Sequence, residues 1–479
     1  MPPHPSFTLY SKRPLRQYWF INFQCYSDWQ LGAIEIELTT LTLRISEDSA
    51  KQYWISPYLN ILTRNHLASC IIKHRMFKYF LFYQTSIDMQ LKSEETLPKD
   101  KNLACLIGRA WVPGNPGGPS PVWINDEKVY DFAIHSPTVA HLMEMEDPAK
   151  TVRGLSGLNF LGNLEDILNN TNPKNYNPKK PSFLAPCDLQ AIKASGVTFV
   201  SSMLERVIEE QAQGDWKKAE QIRKNIKELI GDKLDEIKPG SASAMKVKKI
   251  LLEKGAWSQY LEVGIGTDAE IFTKSQPMSA VGTGVEIGIH PESHWNNPEP
   301  EIVLAVNSKG KAVGSSLGND VNLRDFEGRS ALLLGKSKDN NASCSIGPFI
   351  RLFDEKFTLE DVRQANISLT VEGLDGFRLE GSSSMKQISR DPIELIEHCI
   401  GRCHQYPDGM MLFLGTMFSP IQDRDESGQG FTHKIGDKVT IHTALLGSLV
   451  NLVNTSDQVS PWTFGTGALM QNLAQRSLI

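Results

Sequence analysis

The stretch SHWNNPEPEIVLAV, residues 293–306, decides how the centre of this chain folds. Its second half, from Ile302 to Val306, is an unbroken apolar run of strand length and predicts a buried β-strand. Residues two apart on a strand point to the same face, so Glu299 and Glu301 present two carboxylates side by side where that strand begins. Two neighbouring like charges raise each other's pKa unless a cation neutralises them.

A third acid, Asp320, follows Glu301 by nineteen positions and can complete a face of three carboxylates. Hard oxygen ligands with open positions are what Mg²⁺ prefers, because this ion keeps water or substrate on its remaining sites. The alternative is a solvated edge with two surface glutamates, which fits poorly beside a buried strand. The sequence therefore predicts a divalent metal site built by these three acids.

Length and composition indicate an ordinary globular protein of two or three domains. The chain has 479 residues, with 40% hydrophobic and 22% charged residues. A net charge of -5 provides no basic surface for nucleic acid, and no stretch approaches the ~20 apolar residues of a membrane span. The seven cysteines are odd in number and scattered, which fits a reducing compartment. We therefore expect a cytoplasmic protein without nucleic-acid or membrane partners.

Residues 1–88 differ from the rest of the chain. They hold 16 of the 40 aromatic residues but only one of the 36 glycines, and no clean helical or strand period runs through them. Met89 then opens a segment of normal globular character. We predict that residues 1–88 are an atypical, poorly ordered N-terminal extension, from an upstream start, or else a small aromatic module that binds a partner.

The remaining residues predict an α+β protein. Residues 89–185 combine strands at 104–112 and 121–124 with helices at 139–145 and 163–168. An amphipathic helix is expected over 200–234, and a further helix over 392–403. After Gly264, short apolar runs separated by glycines predict a mostly β body. These runs lie at 281–289, 301–306, 367–371, 411–414 and 438–441.

Several short motifs along residues 184–453 occur together in the order seen in one known family. Each motif is weak by itself, but the ordered set covers more than half of the chain. The motifs are Leu184-Ala185-Pro186, Gly196-Val197-Thr198-Phe199, Ala269-Glu270-Ile271-Phe272-Thr273-Lys274, Pro298-Glu299-Pro300-Glu301, Gly318-Asn319-Asp320, Lys338, Gly415-Thr416, Phe431-Thr432-His433-Lys434 and Gly436-Asp437. In this respect the chain resembles the fumarylacetoacetate hydrolase superfamily, and within it the branch of sugar-acid dehydratases.

The resemblance implies a fold and a set of site residues. The fold is α+β, with a mostly β catalytic body over residues 186–479, a β-roll of twisted mixed sheets, and a smaller α+β domain over 89–185. The ion is Mg²⁺, with Mn²⁺ or Ca²⁺ as alternatives, and relatives are often dimers or tetramers. The implied site residues are Glu299, Glu301 and Asp320 for the metal, Glu270 and Lys338 for catalysis, and Phe199, Ser201, Lys274 and Thr416 for the substrate.

The implied reaction is dehydration of a 2-keto-3-deoxy sugar acid, such as 2-keto-3-deoxyarabinonate to the semialdehyde of 2-oxoglutarate, through a metal-stabilised enolate. Glu270 and Lys338 would carry the proton transfers, which requires burial to raise the pKa of the glutamate and to lower that of the lysine. A structural salt bridge between these two residues is the alternative.

Two other functions stay open at this point. One is carbon–carbon bond hydrolysis of a diketo acid, for which relatives use a His–Glu pair; here the histidine position is Ser202, although Glu205 is present. The other is a metal-binding homologue without catalytic activity, in which the three acids persist as scaffold.

Overall fold

The computed structural model describes residues 89–213, 215, 217–222, 237–253, 257–418, 420, 422–425 and 430–479, together with four short strands nearer the N-terminus. The chain divides into two compact units, Met1–Thr85 and Ser86–Ile479. The division falls close to the boundary predicted at residue 88. The predicted start at Met89 and the predicted character of residues 1–88 rest on residues that lie mostly outside the described part.

The described residues of the first unit form two pairs of strands. Strand β1 (Phe7–Ser11) pairs antiparallel with β2 (Trp19–Phe23), and β3 (Glu35–Glu37) pairs antiparallel with β4 (Thr42–Arg44). These hairpin-like pairs are what the aromatic and β-branched residues of this segment favour.

The second unit is built on a sheet of eleven strands. All neighbours in this sheet are antiparallel except β10 and β20, which are parallel. In spatial order the strands are β11 (Glu270–Ser275), β10 (Ala191–Gly196), β20 (Met410–Phe413), β14 (Pro300–Val306), β15 (Ala312–Asp320), β17 (Cys344–Leu352), β5 (Leu106–Val112), β6 (Gly118–Asn125), β7 (Lys128–Asp131) and β8 (Asn159–Asn163), with β9 (Ser182–Leu184) also paired to β5.

A second sheet of five strands packs against one face of the first. In spatial order its strands are β12 (Glu286–Ile289), β22 (Gly447–Thr455), β21 (Lys438–Thr443), β18 (Asn366–Glu372) and β19 (Arg378–Ser384). A short pair, β13 (Asn296–Asn297) with β16 (Asn322–Leu323), lies next to the first residues of β14.

The predicted buried strand is β14, and it lies in the middle of the large sheet. Ile302, Leu304 and Val306 belong to the core between the two sheets. Val303 and Ala305 point the other way, into a second core. Because successive side chains alternate between two cores, the whole run is apolar instead of alternating with polar residues.

The helices whose bounds are defined within the described residues are at most 13 residues long. They are Ser93–Thr96, Val139–Met143, Pro148–Gly154, Leu164–Thr171, Val200–Ala212, Ala242–Glu253, Gln259–Ile265, Arg324–Glu327, Leu334–Lys338, Leu359–Arg363, Pro392–Cys399 and Thr466–Gln475, with 3₁₀ turns at Ala331–Leu333 and Met385–Gln387. None of the helices in the described part is long and apolar enough to cross a membrane.

The predicted fold class, an α+β protein with a mostly β body, is confirmed. The strands on the two sides of residue 185 hydrogen-bond in one sheet, because Ile107 and Leu106 of β5 pair with Ile350 and Arg351 of β17. A separate α+β domain over 89–185 remains a prediction. The helix expected over 200–234 is described as Val200–Ala212, and it ends where Gln213 adopts a left-handed backbone conformation with φ of 55°.

Candidate metal centre and active site

The antiparallel hairpin of β14 and β15 brings the three predicted metal ligands together. Glu301 is the second residue of β14, and Asp320 is the last residue of β15. The backbone N–H of Asp320 donates to the carbonyl of Glu299 at 3.0 Å, which closes the end of the hairpin. One carboxylate oxygen from each of the three acids lies within 4.8 Å of the other two, and all three residues are buried.

Lys338 lies at this carboxylate cluster. Its Nζ donates to Oε2 of Glu299 at 2.7 Å and to Oδ2 of Asp320 at 3.1 Å. A second buried lysine, Lys274, forms an ion pair with Oδ1 of Asp320 at 2.9 Å. Burial alone would raise the pKa of Asp320, but the two ammonium groups outweigh burial and hold this pKa below its usual value.

Glu301 is in a different electrostatic state. Burial, followed by the charges of Asp320 and Glu299, raises the pKa of Glu301 well above its usual value. The only hydrogen bond recorded for its side chain in the described part comes from the backbone N–H of Gly415, which donates to Oε2 at 2.6 Å. A divalent cation among the three carboxylates would remove this repulsion, so the ligand set fits such an ion.

Gly415 supports this contact through its backbone conformation. Its φ is +87°, a region that residues with a side chain rarely adopt, and a Cβ atom there would lie 2.0 Å from Oγ1 of Thr198. Glycine at this position therefore lets the chain turn close enough for its N–H to reach Glu301.

Glu270 begins β11 at the wall of the same cavity. It pairs in register with Gly196 of β10, and a Cβ atom at that glycine would lie 2.1 Å from Oε2 of Glu270. Glycine at 196 therefore leaves the space that the glutamate occupies. Burial, followed by the charge of Glu327, raises the pKa of Glu270 to about 7, although Arg206 and Lys338 act in the opposite direction.

The pKa of Lys338 moves opposite to our expectation. Burial would lower it, but the charges of Asp320, Glu299 and Glu327 outweigh burial and hold the pKa of Lys338 above its usual value. The predicted shift of this lysine towards neutrality is therefore wrong, because the prediction considered burial without the three carboxylates. Without a bound ion, these carboxylates favour the charged form of Lys338.

Most, but not all, of the predicted site residues line the cavity. Glu270, Lys338, Thr416 and the three predicted metal ligands line it. Its lining residues are Ser195, Gly196, Val197, Ser202, Arg206, Glu270, Phe272, Glu299, Glu301, Asp320, Glu327, Lys338, Gly415 and Thr416. Nothing in the sequence pattern had pointed to Ser195, Arg206 or Glu327 as site residues.

Three predicted substrate contacts lie outside this lining. Phe199 is buried in the core between the two sheets. Ser201 is exposed, and its Oγ donates to the carbonyl of Met417 at 3.2 Å. Lys274 is fully buried behind Asp320, where its Nζ also donates to the carbonyl of Lys338 at 2.5 Å. In this structure Lys274 therefore contacts a predicted metal ligand instead of the cavity.

Helix geometry explains which residues of the segment after Gly196 face the cavity. Residues four apart on a helix share one face, so Ser202 and Arg206 of helix Val200–Ala212 reach the cavity together while Ser201 points away. This spacing was the available signal for Arg206.

Two serines contribute hydroxyl groups to the cavity. Ser202 donates to the carbonyl of Phe199 at 3.0 Å, and the buried Oγ of Ser195 has no hydrogen-bond partner among the described residues.

The groups of a hydrolytic His–Glu pair are not assembled in the described part of the cavity. Ser202, where the resemblance predicted the histidine position of the hydrolases, lines the cavity, and no histidine is among its described lining residues. Glu205 contacts Nη2 of Arg324 at 3.2 Å through Oε2. The site therefore offers carboxylates and an ammonium group for proton transfer, but no described imidazole.

Comparisons with known proteins agree with this fold and site. No family model matches the chain. The chain is 30% identical over 191 residues to a 2-dehydro-3-deoxy-D-arabinonate dehydratase of Saccharolobus solfataricus, which is 40% of this chain and 60% of that relative. The match therefore spans about three-fifths of the relative's length.

Solved structures show the same fold. A 2-keto-3-deoxy-D-arabinonate dehydratase in its apo form aligns with a TM-score of 0.51 and 22% identity, covering 73% of this chain and 99% of the other. A second structure of a dehydratase with that name, complexed with magnesium and 2,5-dioxopentanoate, gives the same TM-score and identity.

The fold thus matches that of solved 2-keto-3-deoxy-D-arabinonate dehydratases. The sequence match is to part of a curated dehydratase of the same kind, so the predicted resemblance to sugar-acid dehydratases is confirmed.

Proposed function

We propose that this chain is a hydro-lyase that dehydrates a 2-keto-3-deoxy sugar acid and uses Mg²⁺ as its cofactor. The observation that carries the proposal is the arrangement of Glu270 and Lys338 around one cavity with three buried carboxylates. The similarity to dehydratases of such acids supports the choice of substrate class.

Glu299, Glu301 and Asp320 would hold the ion. When bound, a divalent cation supplies positive charge to the carboxylate and the ketone oxygen of a 2-keto acid, and this charge makes the neighbouring C3 proton more acidic. Mg²⁺ suits an all-oxygen ligand set, and Mn²⁺ is the expected substitute in assays.

Glu270 is the group that we assign to proton transfer. With a pKa of about 7, a substantial fraction of this carboxyl is ionised near neutral pH, so it can accept a proton from C3 and still return one. The same proton can then pass to the hydroxyl at C4, whose bond to carbon breaks with release of water. One carboxyl group can therefore carry both proton transfers of the elimination, which leaves a double bond between C3 and C4. Loss of a proton from C5 and addition of a proton at C3 then give an enol at C4 and C5, which tautomerises to the aldehyde.

Lys338 is assigned to charge stabilisation. Its Nζ donates to Glu299 and Asp320, two of the proposed metal ligands, so it lies where a substrate bound beside the ion would be. Its ammonium group can donate to an oxygen that gains negative charge as the C3 proton leaves. Thr416 and Ser195 line the cavity and are candidates for contacts to the substrate hydroxyl groups.

A substrate panel tests this proposal. Purified full-length protein is incubated with 2-keto-3-deoxy acids of five and six carbons and with diketo acids, each with Mg²⁺ or with a chelator. We expect a product that has lost one water and carries an aldehyde for a five-carbon acid, formed only with the ion. Cleavage of a diketo acid into two acids would instead indicate the hydrolase.

The variant Glu301→Gln separates the enzyme from a scaffold without catalytic activity. It removes one ligand charge while keeping the size of the side chain. We expect turnover to fall by several orders of magnitude while the far-UV circular dichroism spectrum stays unchanged. Wild-type protein that converts no acid of the panel, with or without Mg²⁺ or Mn²⁺, would contradict the proposed function.

A further inference from the structure

Each of the three predicted metal-ligand carboxylates has at least one oxygen held by a described partner. Oε2 of Glu301 accepts from the backbone N–H of Gly415, and Oδ1 of Asp320 is ion-paired with Lys274. Oε1 of Glu299 accepts from Nη2 of Arg206. The other oxygens of Glu299 and Asp320 face each other, because both contact the single Nζ atom of Lys338 at 2.7 and 3.1 Å.

Arg206 is fixed by further contacts on its far side. Its Nη1 donates to Oε2 of Glu209 at 2.7 Å and forms an ion pair with Oε2 of Glu327 at 3.0 Å. Glu209 is held in turn by Nε of Arg324 at 2.6 Å. A planar guanidinium with several partners has little freedom to rotate, so the position of Glu299 is set from helix Val200–Ala212.

We infer that Arg206 is a positioning residue of the metal centre: by holding Oε1 of Glu299, it fixes the orientation of this carboxylate beside Asp320 and Glu301. Nothing in the sequence pattern assigned this role. The inference rests on the metal-binding part of the proposed function, but it is independent of the reaction that the site carries out.

A positioning role and a purely electrostatic role predict opposite effects on metal affinity. If Arg206 were only a nearby positive charge, its removal would reduce repulsion and tighten binding of a divalent cation. If Arg206 positions Glu299, its removal frees that carboxylate to rotate and weakens binding. Loss of a residue that orients a metal ligand typically weakens affinity by about 10- to 100-fold.

The test is titration calorimetry of the full chain with Mn²⁺ and with Mg²⁺, in the absence of any keto acid. We compare wild type with Arg206→Met, which removes the charge, and with Arg206→Lys, which keeps the charge but cannot bridge three carboxylates. We expect both variants to bind the ions at least about tenfold more weakly. Circular dichroism and a thermal melt establish that each variant is folded.

Arg351→Lys is the matched control. Arg351 is likewise a buried arginine, and its Nη1 and Nη2 donate to the two carboxylate oxygens of Asp100 at 2.8 and 2.6 Å. It does not line the cavity and does not belong to the network around Arg206. We expect it to lower the melting temperature while leaving metal affinity unchanged. An equal loss of affinity in Arg351→Lys would overturn the inference, since the effect would then follow general destabilisation.

Two further results would also overturn it. One is wild-type or tighter affinity in Arg206→Lys, which keeps the charge and is the more conservative change if Arg206→Met does not fold. The other is wild-type protein that binds neither Mn²⁺ nor Mg²⁺. Because no substrate is present, a chain that binds the ion but dehydrates nothing would contradict the proposed reaction and leave this inference to be decided by the variants.

Discussion

Glu270 and Lys338 line one cavity, yet burial in this cavity changes the pKa values of their two side chains in different ways. Burial disfavours the charged form of both groups, but only Lys338 lies within hydrogen-bond distance of two carboxylates that compensate for the lost solvation. The pKa of Glu270 is therefore raised to about 7, and that of Lys338 is raised instead of lowered. Without a bound ion, both shifts favour a proton-carrying glutamate beside a charged lysine.

Glu270→Gln tests the catalytic role at the residue scale. Glutamine has nearly the same shape but accepts no proton, so we expect kcat to fall by about 10²- to 10⁴-fold. Metal affinity, measured by calorimetry, should stay within a few fold because Glu270 is not one of the three ligands. Retention of most of the activity would contradict the assignment of this group.

The pH dependence of the wild type follows from the same residue. The base must be ionised, so kcat/KM should decrease as the pH falls through the pKa of Glu270. That pKa is about 7 without an ion, and a nearby bound cation lowers it, so the midpoint should lie at or below about 7. The residual kcat/KM of the variant Glu270→Gln should not show this decrease at low pH.

Glu270 also predicts how stability changes with pH when no metal is bound. Its folded-state pKa of about 7 lies above the ordinary glutamate value of about 4.3, so the folded protein binds the proton more tightly than the unfolded chain. Stability from this group is full below the unfolded pKa and is lost as the pH rises through about 7. In chelator, Glu270→Gln should therefore melt above wild type at pH 8, with little difference near pH 4.

At the scale of elements, β14 determines both the core and the site. The side chains from Ile302 to Val306 pack into two cores. Glu301 within β14, and Glu299 immediately before it, are two of the three predicted metal ligands. The strand is thereby fixed in register, since a slip by one residue would exchange the side chains of the two cores and turn Glu301 away from Asp320.

Leu304→Ala tests the contribution of this strand. Leu304 is fully buried, and truncation of a buried leucine typically destabilises a protein by about 2–5 kcal/mol. Denaturant unfolding should show this loss. Leu332→Ala is the matched control, because Leu332 is 95% exposed and its truncation should change stability by less than about 0.5 kcal/mol. Equal effects of the two variants would contradict the central position of β14.

At the scale of the whole molecule, we expect the buried carboxylates of Glu299, Glu301 and Asp320 to stabilise the folded state only when a cation neutralises their repulsion. A ligand that binds the folded state alone stabilises it by about 2.7 kcal/mol at a concentration 100-fold above its Kd. We therefore expect Mg²⁺ to raise the melting temperature of the wild type and a chelator to reverse the shift. Glu301→Gln should show a much smaller shift, and an equal one would place the ion elsewhere.

The cluster of three buried acids, which we propose as metal ligands, was predictable from the sequence because its signal is local. Glu299 and Glu301 lie two apart at the start of an apolar run, so strand geometry alone sets them side by side. The ordered motifs also indicated the fold class and the roles proposed for Glu270 and Lys338. None of these inferences needed contacts between distant parts of the chain other than the approach of Asp320.

The contacts that orient the proposed ligands could be found only from the tertiary structure. Arg206 reaches Glu299 across 93 residues of sequence, and the charges that raise the pKa of Lys338 include one from a different helix, Arg324–Glu327. Sequence periodicity indicates which face of a helix or strand is buried, whereas an ion pair depends on which other helices and strands pack against that face. The sequence by itself therefore determined the strand and its carboxylates, and long-range packing decided what holds them in place.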